Sequence, residues 1–215
     1  YFNRFIERFP QLSDLAQANI DEVLALWAGL GYYSRARNLH RAAQIIMQKY
    51  HGEFPTDSES LQILPGIGRS TAGAILALSQ NKPCAILDGN VKRVLTRLFA
   101  IAGYPGESAI QKQLWEIAER YTPTESVAEY TQAMMDLGAM ICTPRQPKCS
   151  ECPVSEYCIA NQQNQQLLFP TRKKRAELPI KSAYFLLLTN PQEQWLLERR
   201  PPVGIWGGLW SLPEC

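Results

Sequence analysis

The sequence predicts a mainly α-helical fold to about residue 160, followed by a short segment that reads as strands. Apolar residues recur at helical spacing in successive stretches, as in Val23, Leu24, Trp27 and Leu30, or Leu39, Ala42, Ala43 and Ile46. Helix-start and helix-stop residues punctuate those stretches closely, so the helices are joined by short connections. Beyond a run of Gln and Asn at 161–166 the pattern changes to short β-type stretches around Asn190-Pro191.

Taken in order, Tyr1, Phe2, Phe5, Ile6 and Phe9 share one side of a helix that Pro10 stops. Asn19-Ile20-Asp21-Glu22 has the form of a capping box and opens the helix that carries Val23 to Leu30. Gly29-Leu30-Gly31-Tyr32-Tyr33 ends it, and the Leu39–Ile46 helix stops before Gly52. Thr56 to Glu59 is a second capping box, leading through Leu61 and Leu64 to Pro65. Later helices carry Leu114, Ile117 and Tyr121, then Val127, Tyr130, Met134, Leu137 and Ile141. Residues 161–180, including the basic run Arg172-Lys173-Lys174-Arg175, read as a linker. Tyr184–Leu188 and Trp195–Leu197 read as strands, and Trp206–Pro213 as a further turn and strand.

Chemistry concentrates between Leu64 and Arg97. Leu64-Pro65-Gly66-Ile67-Gly68 interrupts an apolar helical pattern that restarts near Arg69 and runs to Gln80, with Ala74, Ile75 and Leu78 expected inside. The first amides of that helix lack intrahelical partners, and Gly66 and Gly68 allow a bulky anion to approach them. This is the form of a helix-hairpin-helix that grips a DNA phosphate, although an ordinary helix-to-helix turn has the same residues. Eight residues beyond, Asp88 stands at the N-cap of a helix with Val91, Val94, Leu95 and Leu98 inward. Asp88 is either a cap alone or a carboxylate that stabilises a cationic sugar.

The 215 residues have a net charge of +2, which excludes a strongly cationic nucleic-acid coat but leaves room for local basic faces. Arg35, Arg37, Arg41 and Lys49, and separately Lys92, Arg93 and Arg97, read as solvated faces. No apolar run is long enough to cross a membrane. Cys142, Cys149, Cys152 and Cys158 follow the spacing C-x6-C-x2-C-x5-C in a segment that Pro144, Pro147 and Pro153 keep out of regular helix. Two disulfides, a tetrahedral zinc or a [4Fe-4S] cluster would each account for four such cysteines. Cys84 and Cys215 stand apart as structural or incidental residues.

The hairpin followed at this distance by Leu87-Asp88-Gly89-Asn90-Val91 resembles the helix-hairpin-helix DNA glycosylase superfamily. With the cysteine run, the resemblance narrows to the adenine DNA glycosylase (MutY) family. Gly29 to Leu39, Leu64 to Ala74, Ile86 to Arg97 and Met134 to Cys158 all carry it. So do Arg199-Arg200-Pro201-Pro202 and Trp206-Gly207-Gly208-Leu209-Trp210, which look like the start of that family's MutT-like domain. The resemblance implies a two-lobed helix-hairpin-helix glycosylase domain over 1–160 with a cluster loop at 142–158. A linker at 161–180 and the truncated start of an α/β MutT-like domain at 181–215 would follow. It further implies a monomeric DNA repair enzyme of the bacterial cytoplasm, associated with the nucleoid, that hydrolyses adenine from double-stranded DNA where adenine is mispaired with 8-oxoguanine or guanine.

Residue by residue, the resemblance makes Asp88 the catalytic aspartate, and Cys142, Cys149, Cys152 and Cys158 the ligands of a structural [4Fe-4S] cluster. Gly66, Ile67, Gly68 and Arg69 would meet a phosphate at the hairpin, Arg145 and Lys148 would do so from the cluster loop, and Tyr32 would be an aromatic wedge in the base stack. Ser70 occupies the position where bifunctional relatives of the endonuclease III type carry a Schiff-base lysine. A hydroxyl forms no imine, so hydrolysis without a lyase step is expected. The family's general acid is a glutamate upstream of the residues matching Tyr1, and no glutamate here matches its motif; the chain as printed is therefore expected to be catalytically crippled. A bifunctional endonuclease III-type enzyme, a non-enzymatic iron–sulfur DNA-binding module and a zinc-bound domain stand as alternatives.

Overall fold

The computed structural model describes residues 1–173, 179–201 and 203–215. Its contacts divide the chain into two units, Tyr1–Phe54 with Arg175–Cys215, and Pro55–Lys174. Among the described residues no helix is long and apolar enough to cross a membrane.

The first unit holds α1 (Phe2–Arg8), α2 (Leu12–Gln17), α3 (Ile20–Trp27) and α4 (Ser34–Lys49). Asn19 caps α3 by accepting from the Asp21 amide at 2.8 Å, but the other half of the expected box is missing, because Glu22 pairs with Arg8 instead. Phe9, Leu15, Val23, Leu24, Ala36 and Ala43 form the core, with Leu209 from the C-terminal segment packed against it. On α4 the expected Ala42, Ala43 and Ile46 are buried, but Leu39 is exposed and His40 is buried beside them. The reason is polar. The His40 ring nitrogen Nε2 lies 3.0 Å from the Ala18 carbonyl at the end of α2, a bond that leucine could not make.

The C-terminal segment contributes β1 (Glu198–Arg199) and β2 (Trp210–Ser211), antiparallel with Glu198 opposite Ser211. The expected strands at Tyr184–Leu188 and Trp195–Leu197 are reduced to single bridges, Thr189 with Trp195 and Phe185 with Glu214. Their turn forms as anticipated, with the Asn190 side chain accepting from the Gln192 and Gln194 amides. This segment is held to α3 and α4 by an Arg199–Asp21 ion pair at 2.8 Å and by Arg37 donating to the Gly207 carbonyl at 2.5 Å.

The second unit begins with α5 (Ser58–Ile63), capped by Asp57 rather than by Thr56. The Asp57 carboxylate accepts from the Ser60 amide at 2.8 Å, which holds it below its ordinary carboxylate range. After the hairpin come α6 (Arg69–Gln80), α7 (Gly89–Leu98), α8 (Ser108–Tyr121) and α9 (Val127–Asp136), which runs into a π-helical turn at Leu137–Ile141. The short α10 (Ile159–Gln162) follows the cysteine loop. Ile86, Leu87, Val91, Leu95, Ile101, Leu114 and Ala118 make the core.

On α6 the buried residues are Ala72, Gly73, Leu76 and Ala77, and the expected Ala74, Ile75 and Leu78 lie at its margin or outside. Gly73 decides this rotation. The extended stretch before Asp88 lies directly on it, and a Cβ there would stand 2.4 Å from the Ala85 carbonyl oxygen. Within the segment expected as a linker, the Gln166 and Phe169 carbonyls both accept from Arg97. Residues 174–178 of that expected linker and its basic run, and Pro202 of the C-terminal motif, lie outside the described residues.

Candidate active site and iron–sulfur centre

In the second unit the hairpin is a tight turn in which the Leu64 carbonyl accepts from the Ile67 amide at 3.1 Å. Gly66 has φ of +81°, a left-handed conformation that a side chain would disfavour. Gly68 is the N-cap of α6 and brings no side-chain cap, while a Cβ placed on it would meet nothing within 4 Å. The first amides of α6 thus open onto space of the kind an anion occupies. Arg69, the first helical residue, turns toward α8: it pairs with Glu119 and its guanidinium lies 3.8 Å from the Trp115 ring centre.

Asp88 is the N-cap of α7, its Oδ1 accepting from the Val91 amide at 2.8 Å. The carboxylate is partly exposed, and the following Gly89 has open space where a side chain would stand. One residue earlier, the Leu87 amide donates to Ser70 Oγ at 2.9 Å. The helix that carries the hairpin amides is therefore bonded to the residue immediately before the carboxylate.

Two arginines on α7 then reach the cysteine loop, contrary to the expectation of a solvated basic face. Arg93 donates to the Cys142 carbonyl at 2.7 Å, to the Gly138 carbonyl at 2.5 Å and to Asn90 Oδ1 at 2.8 Å. Burial pulls its guanidinium below the ordinary arginine value. Arg97 is 2% exposed and donates to the carbonyls of Gln166, Phe169, Thr143 and Pro144, and to Cys142 Sγ at 3.3 Å. Gly138 lets the π-helical turn approach: a Cβ there would sit 2.6 Å from the Asn90 Cβ.

Cys142, Cys149, Cys152 and Cys158 form no disulfide and line one common cavity together with Arg97 and Ile141. Burial, added to by the neighbouring cysteines, pushes the Cys152 and Cys158 thiols up. Among the described residues no three His, Cys, Asp or Glu side chains converge as they would on a single ion. Four soft donors around a cavity fit a cluster, whose irons favour thiolates and which spans more space than one ion. Arg145 and Lys148 are exposed on this loop, with Lys148 3.7 Å from Glu151.

In the first unit, Tyr32 stands at the tip of the Gly29–Tyr33 loop, 81% exposed and with φ of +48°. Its neighbour Tyr33 packs on the core instead. The loop is fixed by Trp27 Nε1 donating to the Gly31 carbonyl at 3.1 Å, and the Arg35 guanidinium lies 5.6 Å from the Tyr32 ring centre.

The family of HhH-GPD superfamily base excision DNA repair proteins matches residues 1–120, more than half of the chain. The chain belongs to that superfamily. Residues 142–158 match the iron–sulfur binding domain of endonuclease III, and the [4Fe-4S] cluster is the cofactor of this HhH-GPD chain. An adenine DNA glycosylase of Buchnera aphidicola subsp. Schizaphis graminum is 42% identical over the full length of the chain, and the human adenine DNA glycosylase is 34% identical. The chain spans 61% and 47% of those two proteins. Among solved structures, a thermostable thymine-DNA glycosylase superposes with a TM-score of 0.68 at 29% identity, over 75% of each chain. A non-covalent endonuclease III–DNA complex superposes with a TM-score of 0.64 at 25% identity, over 77% of this chain and 76% of that one.

Sequence reasoning missed Arg93, Arg97 and Gly138. A signal existed for Arg97: it lies three residues after Val94 and six after Val91, on the face that α7 buries. The charge of an arginine, taken alone, hides that position.

Proposed function

We propose that the chain is the glycosylase part of a monofunctional, monomeric enzyme that removes adenine mispaired with 8-oxoguanine or guanine. The observation that carries this is the Asp88 carboxylate, fixed by the Val91 amide and bonded through Leu87 and Ser70 to the hairpin helix. The names of the relatives support adenine as the base. The phosphate would be gripped at Gly66, Ile67 and Gly68, with Arg69 beside them, and Tyr32 would wedge into the base stack.

As the C1′–N9 bond breaks, its electron pair leaves with adenine and positive charge grows on the sugar. Asp88 stabilises that charge electrostatically, and a water oxygen then bonds to C1′ and loses a proton. Adenine leaves as a neutral base only if protonated, and none of the carboxylates described above takes that role. Ser70 offers no amine, so no imine forms and the strand stays whole. Cys142, Cys149, Cys152 and Cys158 are the residues that would hold the cluster, which supplies a rigid cross-link of the loop bearing Arg145 and Lys148. Residues 181–215 belong, in this reading, to the start of a MutT-like domain.

The test uses the chain in its full-length protein and a duplex with adenine opposite 8-oxoguanine. The expected result is adenine release with strand breakage only after alkali, and no borohydride trapping. Efficient trapping, or release of oxidised pyrimidines in place of adenine, would favour an endonuclease III-type enzyme.

A further inference from the structure

The Ser70 hydroxyl has a second relation to the site, independent of its not being lysine. The stretch from Lys82 to Leu87 runs without regular structure before α7. It is seated on α6 at two points: the Ala85 carbonyl rests on Gly73, and the Leu87 amide donates to Ser70 Oγ at 2.9 Å. No backbone carbonyl takes the Leu87 amide among the described residues, and Leu87 is 3% exposed. The next residue is Asp88, whose carboxylate is fixed on its other side by Val91.

We infer that Ser70 is a positioning residue for Asp88, acting as the hydrogen-bond acceptor that seats the Leu87 amide. This rests on the reading of Asp88 as the catalytic carboxylate. Serine accepts through its hydroxyl oxygen, whereas alanine and the lysine ammonium cannot. Losing the acceptor leaves a buried N–H unsatisfied and frees the carboxylate to move relative to the helix that holds the phosphate. Displacement of a reacting group by 1 Å costs about 10²-fold, and partial loosening costs less. A lysine at this position would therefore add an amine and at once loosen the aspartate, so any gain in borohydride trapping comes with slower base release.

The experiment compares Ser70→Ala, Ser70→Cys and Ser70→Thr in the full-length protein. Hydrogen exchange at Leu87 reads the bond without reference to activity, and single-turnover adenine release and DNA affinity read its consequence. Ser70→Ala should exchange Leu87 at least about tenfold faster and slow release about tenfold, with DNA affinity within about twofold. Ser70→Thr, which keeps an acceptor oxygen, should stay within about threefold of the parent in both. Ser70→Cys, nearly isosteric but a weak acceptor, should fall between and serves if the alanine variant does not fold. Unchanged Leu87 exchange in Ser70→Ala or Ser70→Cys overturns the inference, as does a threonine variant as impaired as the alanine one. If the parent releases no adenine, the functional reading fails, while the exchange data still decide whether Ser70 seats Leu87.

Discussion

Two segments of the chain contradict hydropathy in opposite directions. On α7, Arg97 is among the most buried side chains of the molecule, whereas in the C-terminal segment Leu186, Leu187, Leu188, Trp195, Leu196 and Leu197 are exposed. The difference follows from backbone hydrogen bonding. Pro144, Pro147 and Pro170 keep the cysteine loop and its exit out of regular structure, so their carbonyls lack ladder partners. A guanidinium is a fixed fork of N–H donors, and Arg97 reaches four carbonyls and the Cys142 sulfur with it, its single Nε–H shared between the Gln166 and Phe169 carbonyls. In the C-terminal segment the turn satisfies itself locally at Asn190, and pairing beyond it amounts to single bridges and two two-residue strands. Burial there lacks a second face to pack on among the described residues.

The largest expected effect is at Arg97. Arg97→Met keeps much of the volume but leaves several buried carbonyls unsatisfied, and should cost about 3–5 kcal/mol of stability. Chemical denaturation checks this, and iron content on the same preparation should fall, since Cys142 loses the donor to its sulfur and the neighbouring carbonyls lose theirs. A loss under about 1 kcal/mol would mean the loop orders itself without the arginine.

Two glycines sharpen the comparison at intermediate size. Gly138→Ala should cost about 1–3 kcal/mol, because its Cβ would collide with Asn90 and push the π-helical turn off α7. Gly68→Ala should leave the melting temperature close to that of the parent, since nothing lies within 4 Å of its Cβ, yet weaken DNA binding by obstructing the α6 amides. Melting and DNA titration of both variants should show this crossed pattern. Equal effects of the two on stability would contradict it. Smallest is Arg37→Ala, which removes the bond to Gly207 and should cost about 0.5–1.5 kcal/mol. Proteolysis of residues 199–211 in this variant should quicken, while release of the base should not.

Much of this was legible in the residues. The helix from Arg69 to Gln80, the hairpin glycines, Asp88 at an N-cap and the four-cysteine run all stand where spacing and capping chemistry put them. The errors share a physical origin. Leu39 and Leu78 were expected inside because they are apolar, but a polar demand at Ala18 turned His40 inward and the Ala85 carbonyl turned Gly73 inward. Asp57 in place of Thr56 is a one-residue slip among adjacent capping residues. The partners of Arg93 and Arg97 are carbonyls 45 to 72 residues away, and carbonyl satisfaction leaves no trace in a hydropathy pattern.

The central claim is that the Asp88 carboxylate works as a charge at the sugar and not only as a cap. Asp88→Asn in the full-length protein tests it directly, because asparagine caps a helix about as well while carrying no charge. Single-turnover adenine release should fall about a hundredfold or more, by analogy with loss of one preorganised electrostatic group. DNA affinity should hold or rise, since a negative charge near phosphates is removed. Near-normal release, with the melting temperature also close to that of the parent, would contradict the account and leave Asp88 a structural cap.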